Sequence, residues 1–195
     1  MPNKIRSVAV FCGARPGHDP AHAEAARQLG AGLARAGLTL IYGGGGIGLM
    51  GLVAEAALGA GGRVRGVIPE FLTRVERPYP ALTELEITSS MHTRKTRMFE
   101  LSDAFITLSG GLGTLDETVE IITWRQLGLH DKPIILLDVA GWAQPFVALV
   151  EHLIRQGFVG EAHRRLFAVT ASVEEALDLL RVAPSPDTAA SASRL

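Results

Sequence analysis

The sequence predicts an α/β protein with an open, doubly wound, mostly parallel sheet of about seven strands and helices on both faces. Two observations carry this. Short β-rich apolar runs alternate with longer helical patterns along the chain, the signature of repeated βαβ units joined by right-handed crossovers. The runs are also apolar at every position rather than at alternate ones, as strands are when helices cover both faces of a sheet. Composition agrees, since 47% of the 195 residues are hydrophobic and 20% charged, the balance of an ordinary globular domain.

The elements follow in order. A strand over 7–12 leads through "CGARPG" to a helix over 20–36, opened by the Asp19 cap with Pro20 at its first position and stopped at Gly37. A strand over 38–42 enters "GGGGIGLMG" and a helix over 49–61. Strands over 64–68 and 85–88 precede a helix over 91–102. The strand over 104–108 runs into "SGGLGT" and a helix over 115–127, closed by Gly128. Strands over 133–138 and 167–170 alternate with helices over 141–156 and 172–181. One domain is expected over 1–182, with a Pro/Ala/Ser-rich, disordered tail over 183–195.

Several function classes are disfavoured at once. A formal net charge of −1 gives no electrostatic basis for binding nucleic acid or an anionic membrane. Cys12 is the only cysteine, so neither an internal disulfide nor a cysteine metal cluster is expected. None of the six histidines has metal-ligand spacing. The N-terminal apolar run is too short for a signal h-region and no segment reaches membrane length, so a reducing cytoplasm is the expectation.

Ligands of such sheets bind beyond the carboxyl ends of the strands, which directs attention to the turns there. Two are glycine turns leading into helices, Gly43–Gly44–Gly45 and Gly110–Gly111–Leu112–Gly113, each able to offer amides and a helix N-terminus to a phosphate. "GGGGIGLMG" matches G-x-G-x-x-G twice, with Glu70 at dinucleotide spacing, but it follows the second strand and leaves no room for a substrate domain. No Gly-Lys-Ser/Thr follows, so it is not a Walker loop. Between the two turns "MHTRKTR" supplies Arg94, Lys95 and Arg97, with Met91 on the face of Lys95. Arginine's rigid fork suits phosphate or ribose.

The acids after the second glycine turn admit two readings. Thr114-Leu115-Asp116-Glu117 is a T-x-x-E capping box, with Thr114 as the cap. Alternatively, with a phosphate held by the glycines, Glu117 and Glu120, one turn apart, face the attached sugar. Carboxylates there would stabilise an oxocarbenium-like transition state or orient water. Cys12, at the end of the first strand, has no partnered histidine and reads as packing.

The segments "VFCGARPG", "IYGGGGIGLMG", "GVIPEFL", "MHTRKTRM" and "SDAFITLSGGLGTLDETVEIITWRQLGLHDKPI" together resemble the Lonely Guy (LOG) proteins, often labelled lysine decarboxylases. The resemblance implies a Rossmann-like fold and hydrolysis of the N-glycosidic bond of an N6-modified AMP, or of AMP itself, without metal or other cofactor. It implies Arg94 and Glu117 as catalytic residues. Substrate contacts would come from Lys95, the turn Gly111–Thr114, Thr123 and, across a variable loop, Glu76. It further implies a homodimer with sites near the interface. Ser109 departs from the family's usual proline, which loosens the turn. The competing expectation is a non-catalytic carrier of a phosphorylated cofactor such as molybdenum cofactor, a class sharing the fold but with no need for the Arg94–Glu117 pair.

Overall fold

The computed structural model describes residues 5–183. The tail expected over 183–195 lies outside the described residues, except for Ala183. The strands are β1 (Ser7–Phe11), β2 (Thr39–Tyr42), β3 (Val64–Pro69), β4 (Glu84–Thr88), β5 (Ala104–Thr107), β6 (Ile134–Leu137) and β7 (Ala168–Thr170). The helices are α1 (Pro20–Arg35), α2 (Gly48–Gly59), α3 (Thr73–Glu76), α4 (Met91–Glu100), α5 (Leu112–Gln126), α6 (Gln144–Arg155) and α7 (Val173–Val182). All seven strands form one parallel sheet in the order β4-β3-β2-β1-β5-β6-β7, the doubly wound, Rossmann-like arrangement.

The continuous apolar runs are explained by a core on each side of this sheet. Val8 and Val10 of β1 and Cys12 just after it point into one, with Leu29 and Leu33 of α1, Val53 of α2 and Ala176 of α7. Ala9 and Phe11 point into the other, with Met98 and Phe99 of α4 and Ile121 of α5. The expectation of two covered faces fails at the edge, where β4, the last strand of the sheet, leaves Leu85 and Ile87 exposed.

The helix signals act as read. Asp19 accepts from the Ala21 amide at 2.9 Å, and Gly37 follows α1 in the left-handed region at φ 71°. There Leu38 N donates to Leu33 O and Gly37 N to Ala34 O, the paired bonds of a Schellman stop. Residues 73–76 form α3, a single turn of helix. Helix α5 begins at Leu112, three residues before the expected 115. The Thr114 capping box is therefore corrected: Gly111 is the N-cap, no side chain caps the helix, and Thr114 is buried inside the first turn.

Candidate active site

Strand order reverses between β1 and β5, and a crevice must open where their following turns diverge. A cavity of about 480 Å³ lies there, walled by the turn after β1, the turn after β5, the start of α5, Arg94 and Glu76. The two turns are tied together by the Gly13 amide donating to Ser109 O at 3.0 Å. Trp142 Nε1 donates to Gly110 O at 3.0 Å and holds the second turn from the far side. The first turn of α5 is locked onto β5 through hydroxyls: Thr118 Oγ1 donates to Thr114 O at 2.7 Å and meets Thr107 Oγ1 at 2.8 Å. Gly110 is required here, since a Cβ would sit 2.0 Å from Thr114 Oγ1 and 2.9 Å from the Gly13 nitrogen.

Arg94 projects from α4 into the floor of the cavity, almost fully buried. Its Nε donates to Val67 O at 3.0 Å and one terminal nitrogen to Gly43 O at 3.2 Å. The other lies 3.8 Å from Met91 Sδ and 3.7 Å from Glu117 Oε1. A guanidinium held by two backbone carbonyls is fixed in position, and it presents its remaining charge to one carboxylate. This contact also explains Gly43, whose Cβ would lie 2.0 Å from the Arg94 terminal nitrogen.

Glu117, on α5, faces Arg94 with its side chain 12% exposed. Burial pushes its carboxyl up to about 7, against the pull of the Arg94 guanidinium, with the charges of Asp116 and Glu76 adding to the rise and Lys95 opposing it. Glu76, at the end of α3, lines the same cavity, and its Oε2 is buried without a hydrogen-bond partner. Burial raises the Glu76 carboxyl too, with Arg94 opposing. Two carboxylates and one arginine thus share a small desolvated volume. Cys12 lies at its base, where burial and then the Glu117 charge push the thiol far up and leave it a neutral packing group.

The other expected site residues divide by position. Gly110, Gly111, Gly113 and Thr114 line the cavity with Arg94, Glu117 and Glu76. Gly43, Gly44 and Gly45 do not form its wall; Gly43 packs against Arg94, Gly44 against Ile68 and Leu85, and Gly45 against Glu76, and the neighbouring Gly46 amide donates to Glu76 O and Arg77 O. The Leu49 and Met50 amides of α2 are taken up by Gly13 O, which leaves the α5 end as the better anion seat. Lys95 bridges Asp116 and Glu120, both at 3.1 Å from its Nζ, outside the cavity wall. Partial burial opposes its charge, but hydrogen bonds to Glu120 and Asp116 outweigh that and raise its pKa. Leu112 and Thr123 face outward from α5, with Thr123 Oγ1 donating to Val119 O, while Leu115 is half-buried.

The sequence reading missed Arg15, His22, Met50 and Trp142 as wall residues. Arg15 sits in a turn already marked as a strand end, a signal that could have found it. No local pattern indicates that His22 or Trp142 reaches the second glycine turn.

A family model described as a possible lysine decarboxylase matches residues 50–180. A cytokinin riboside 5′-monophosphate phosphoribohydrolase of Rhodococcoides fascians is 45% identical over 177 residues, covering 90% of this chain and 89% of that protein. The chain belongs to the LOG family. The cytokinin riboside 5′-monophosphate phosphoribohydrolase LOG of Oryza sativa subsp. japonica is 42% identical over 173 residues, 89% of this LOG chain and 72% of the rice protein. Among solved structures, the molybdenum cofactor binding protein of Rippkaea orientalis superposes with a TM-score of 0.69 at 23% identity, over 91% of this chain and 96% of that one. The Moco carrier protein of Chlamydomonas reinhardtii reaches 0.68 at 22% identity, over 91% and 98%. At these identities the two carriers share the fold with the LOG chain. Among the described residues no lysine lines this LOG cavity: Lys95 is clamped by two carboxylates, and Lys132 is buried with its Nζ 3.7 Å from the Phe99 ring centroid.

Proposed function

We propose that the protein hydrolyses the N-glycosidic bond of an N6-modified adenosine 5′-monophosphate, or of AMP, to free base and ribose 5-phosphate. The observation carrying this is the buried Glu117 carboxyl, raised to about 7 and facing a fixed Arg94 at 3.7 Å. A carboxyl poised near neutrality in a desolvated cavity suits a reaction that develops positive charge beside it and needs an activated water. In this reading the 5′-phosphate seats at the uncapped first turn of α5, by Gly110, Gly111 and Gly113. The ribose then extends toward Glu76, Arg94 and Glu117.

As the C1′–N bond lengthens, its electron pair moves onto the base, and the ionised Glu117 stabilises the cationic sugar. Water adds to C1′ and gives its proton to Glu117, the departing base nitrogen takes one proton from solvent, and Glu117 returns one to solvent as it re-ionises, so the net reaction consumes a single water. Arg94 keeps Glu117 oriented and favours its ionised form. The unpartnered Oε2 of Glu76 accepts a ribose hydroxyl. The relatives carrying the phosphoribohydrolase name support the same substrate class. A pure carrier has no use for a carboxyl so poised.

The working unit is proposed to be a cytoplasmic homodimer. Leu112 and Val119 lie 85% and 45% exposed on α5 and Leu127, its C-cap, 65%, and Asp116 and Thr123 continue the outward face. A second copy covering it would bring Leu112 and Thr123, which do not line the single-chain cavity, to the edge of the site. Among the described residues no helix is long and apolar enough to cross a membrane.

The deciding assay incubates the protein with AMP and with isopentenyladenosine 5′-monophosphate and measures released base, beside Glu117→Ala. Base release by the wild type and its loss in the variant are expected. No release from any nucleotide would sink the hydrolase reading.

A further inference from the structure

Ser109, at the head of the second glycine turn, is buried. Its Oγ lies 2.8 Å from Nδ1 of His22, across 87 residues of chain. His22 belongs to the first turn of α1 and lines the cavity beside the turn after β1. Its ring is packed on the opposite edge as well, since a Cβ at Gly17 would come within 2.9 Å of Cδ2. A ring held on both edges has one orientation. Among the described residues Nε2 has no hydrogen-bond partner.

We infer that His22 donates its Nε2–H to the 5′-phosphate of the substrate, with Ser109 as the residue that positions the ring. The inference rests on the reading that a nucleotide monophosphate occupies this cavity, and it assigns the two ends of that ligand. A serine hydroxyl that donates to Nδ1 leaves the imidazole proton on Nε2, the tautomer that can donate outward. Should the ring be protonated, the same hydroxyl rotates to accept from Nδ1–H, and Nε2 remains a donor. Arg15, exposed and without an ion-pair partner among the described residues, stands on the same wall. With the uncapped start of α5, this gives donors from three elements around one anion. The carboxylates Glu76 and Glu117 line the cavity with Arg94, and they are the wrong charge for phosphate. Proline at 109 has no side-chain group to reach His22, so the device belongs to chains with a hydroxyl at that position.

The test compares AMP with adenosine, which differ only in the phosphate, using initial rates for AMP and calorimetric affinities for both. For His22→Phe, KM and Kd for AMP are expected to rise about tenfold, the loss of one charge-assisted hydrogen bond. The kcat should stay within about threefold, and the affinity for adenosine should be unchanged. Ser109→Ala should give the same split at about threefold, because the ring stays but its orientation loosens. His22→Asn, which keeps a donor, should recover part of the AMP affinity. Thermal melts identify any variant that has not folded, in which case Ser109→Ala carries the test alone. Equal weakening of AMP and adenosine would overturn the inference, as would an unchanged AMP affinity in folded His22→Phe. A wild type that binds AMP, with the expected His22 dependence, but releases no base would overturn the hydrolase reading alone. A wild type that hydrolyses AMP with no His22 dependence would overturn this inference alone.

Discussion

Replacing Glu117 by glutamine should make the protein more stable at pH 8 while removing its activity. The Glu117 carboxyl titrates at about 7 in the folded chain against an ordinary value of 4.5, so the folded state holds its proton more tightly than the unfolded state does. Stability from this group is therefore fully present below pH 4.5 and is lost as pH rises through 7. At 1.36 kcal/mol per pH unit, ionising the buried carboxylate costs about 3 kcal/mol at pH 8. The attraction of Arg94 is already contained in that net value. Glutamine has the shape of the protonated acid and carries no such cost, so Glu117→Gln should gain about 3 kcal/mol at pH 8 and almost nothing at pH 4.5. For a chain of 195 residues that corresponds to roughly 6–12 °C in Tm. The assay is thermal unfolding of both proteins at pH 8 and pH 4.5, where titrating groups remote from Glu117 cancel in the difference. Base release should fall about 10²–10⁴-fold in the same variant. A variant no more stable than wild type at pH 8 would refute the assignment of a costly buried carboxylate. One that is more stable and fully active would refute its part in the chemistry.

Further outcomes follow from the same geometry. Wild-type kcat/KM should rise as pH increases through about 7 and then level off, since the ionised Glu117 is the working form; a fall over that range would make it an acid instead. Arg94→Lys should lower kcat/KM about 10²-fold. It should also lose about 1–3 kcal/mol of stability, because a lysine cannot pair Val67 O, Gly43 O and Glu117 together; kinetics with a urea titration measures both. Gly110→Ala should abolish base release and destabilise by about 1–3 kcal/mol, as its methyl collides with Thr114 Oγ1 and the Gly13 backbone, and an unaltered melt would contradict this. Val119→Asp should convert a dimer into monomers by light scattering on a sizing column, while a wild type already monomeric would remove α5 as an interface.

Much of the fold was legible in the residues. Apolar runs without alternation gave the covered parallel strands, and Asp19-Pro20, Gly37 and Gly128 marked helix ends, because backbone hydrogen bonding at a helix terminus depends on a few adjacent residues. The edge position of β4 was not legible, since which strand ends uncovered is decided by sheet order and not by the strand's own sequence. The Thr114 cap was misread for a related reason. Thr114 fits the capping box locally, but its hydroxyl lies against Gly110 and its carbonyl accepts from Thr118, so tertiary packing draws it one turn inward.

The site divides the same way. That glycine turns, an arginine and a glutamate belong to one chemistry could be inferred from residue type and position at strand ends. The chain alone could not say that Gly43 is small because Arg94 rests on it, or that the Lys95 charge is spent on Asp116 and Glu120. Nor could it show that Ser109 meets His22 across 87 residues. Residue type sets which charges and donors a chain carries. Which of them are buried against one another, and so whether a carboxyl titrates near 4.5 or near 7, is set only when the crevice between β1 and β5 brings distant turns together.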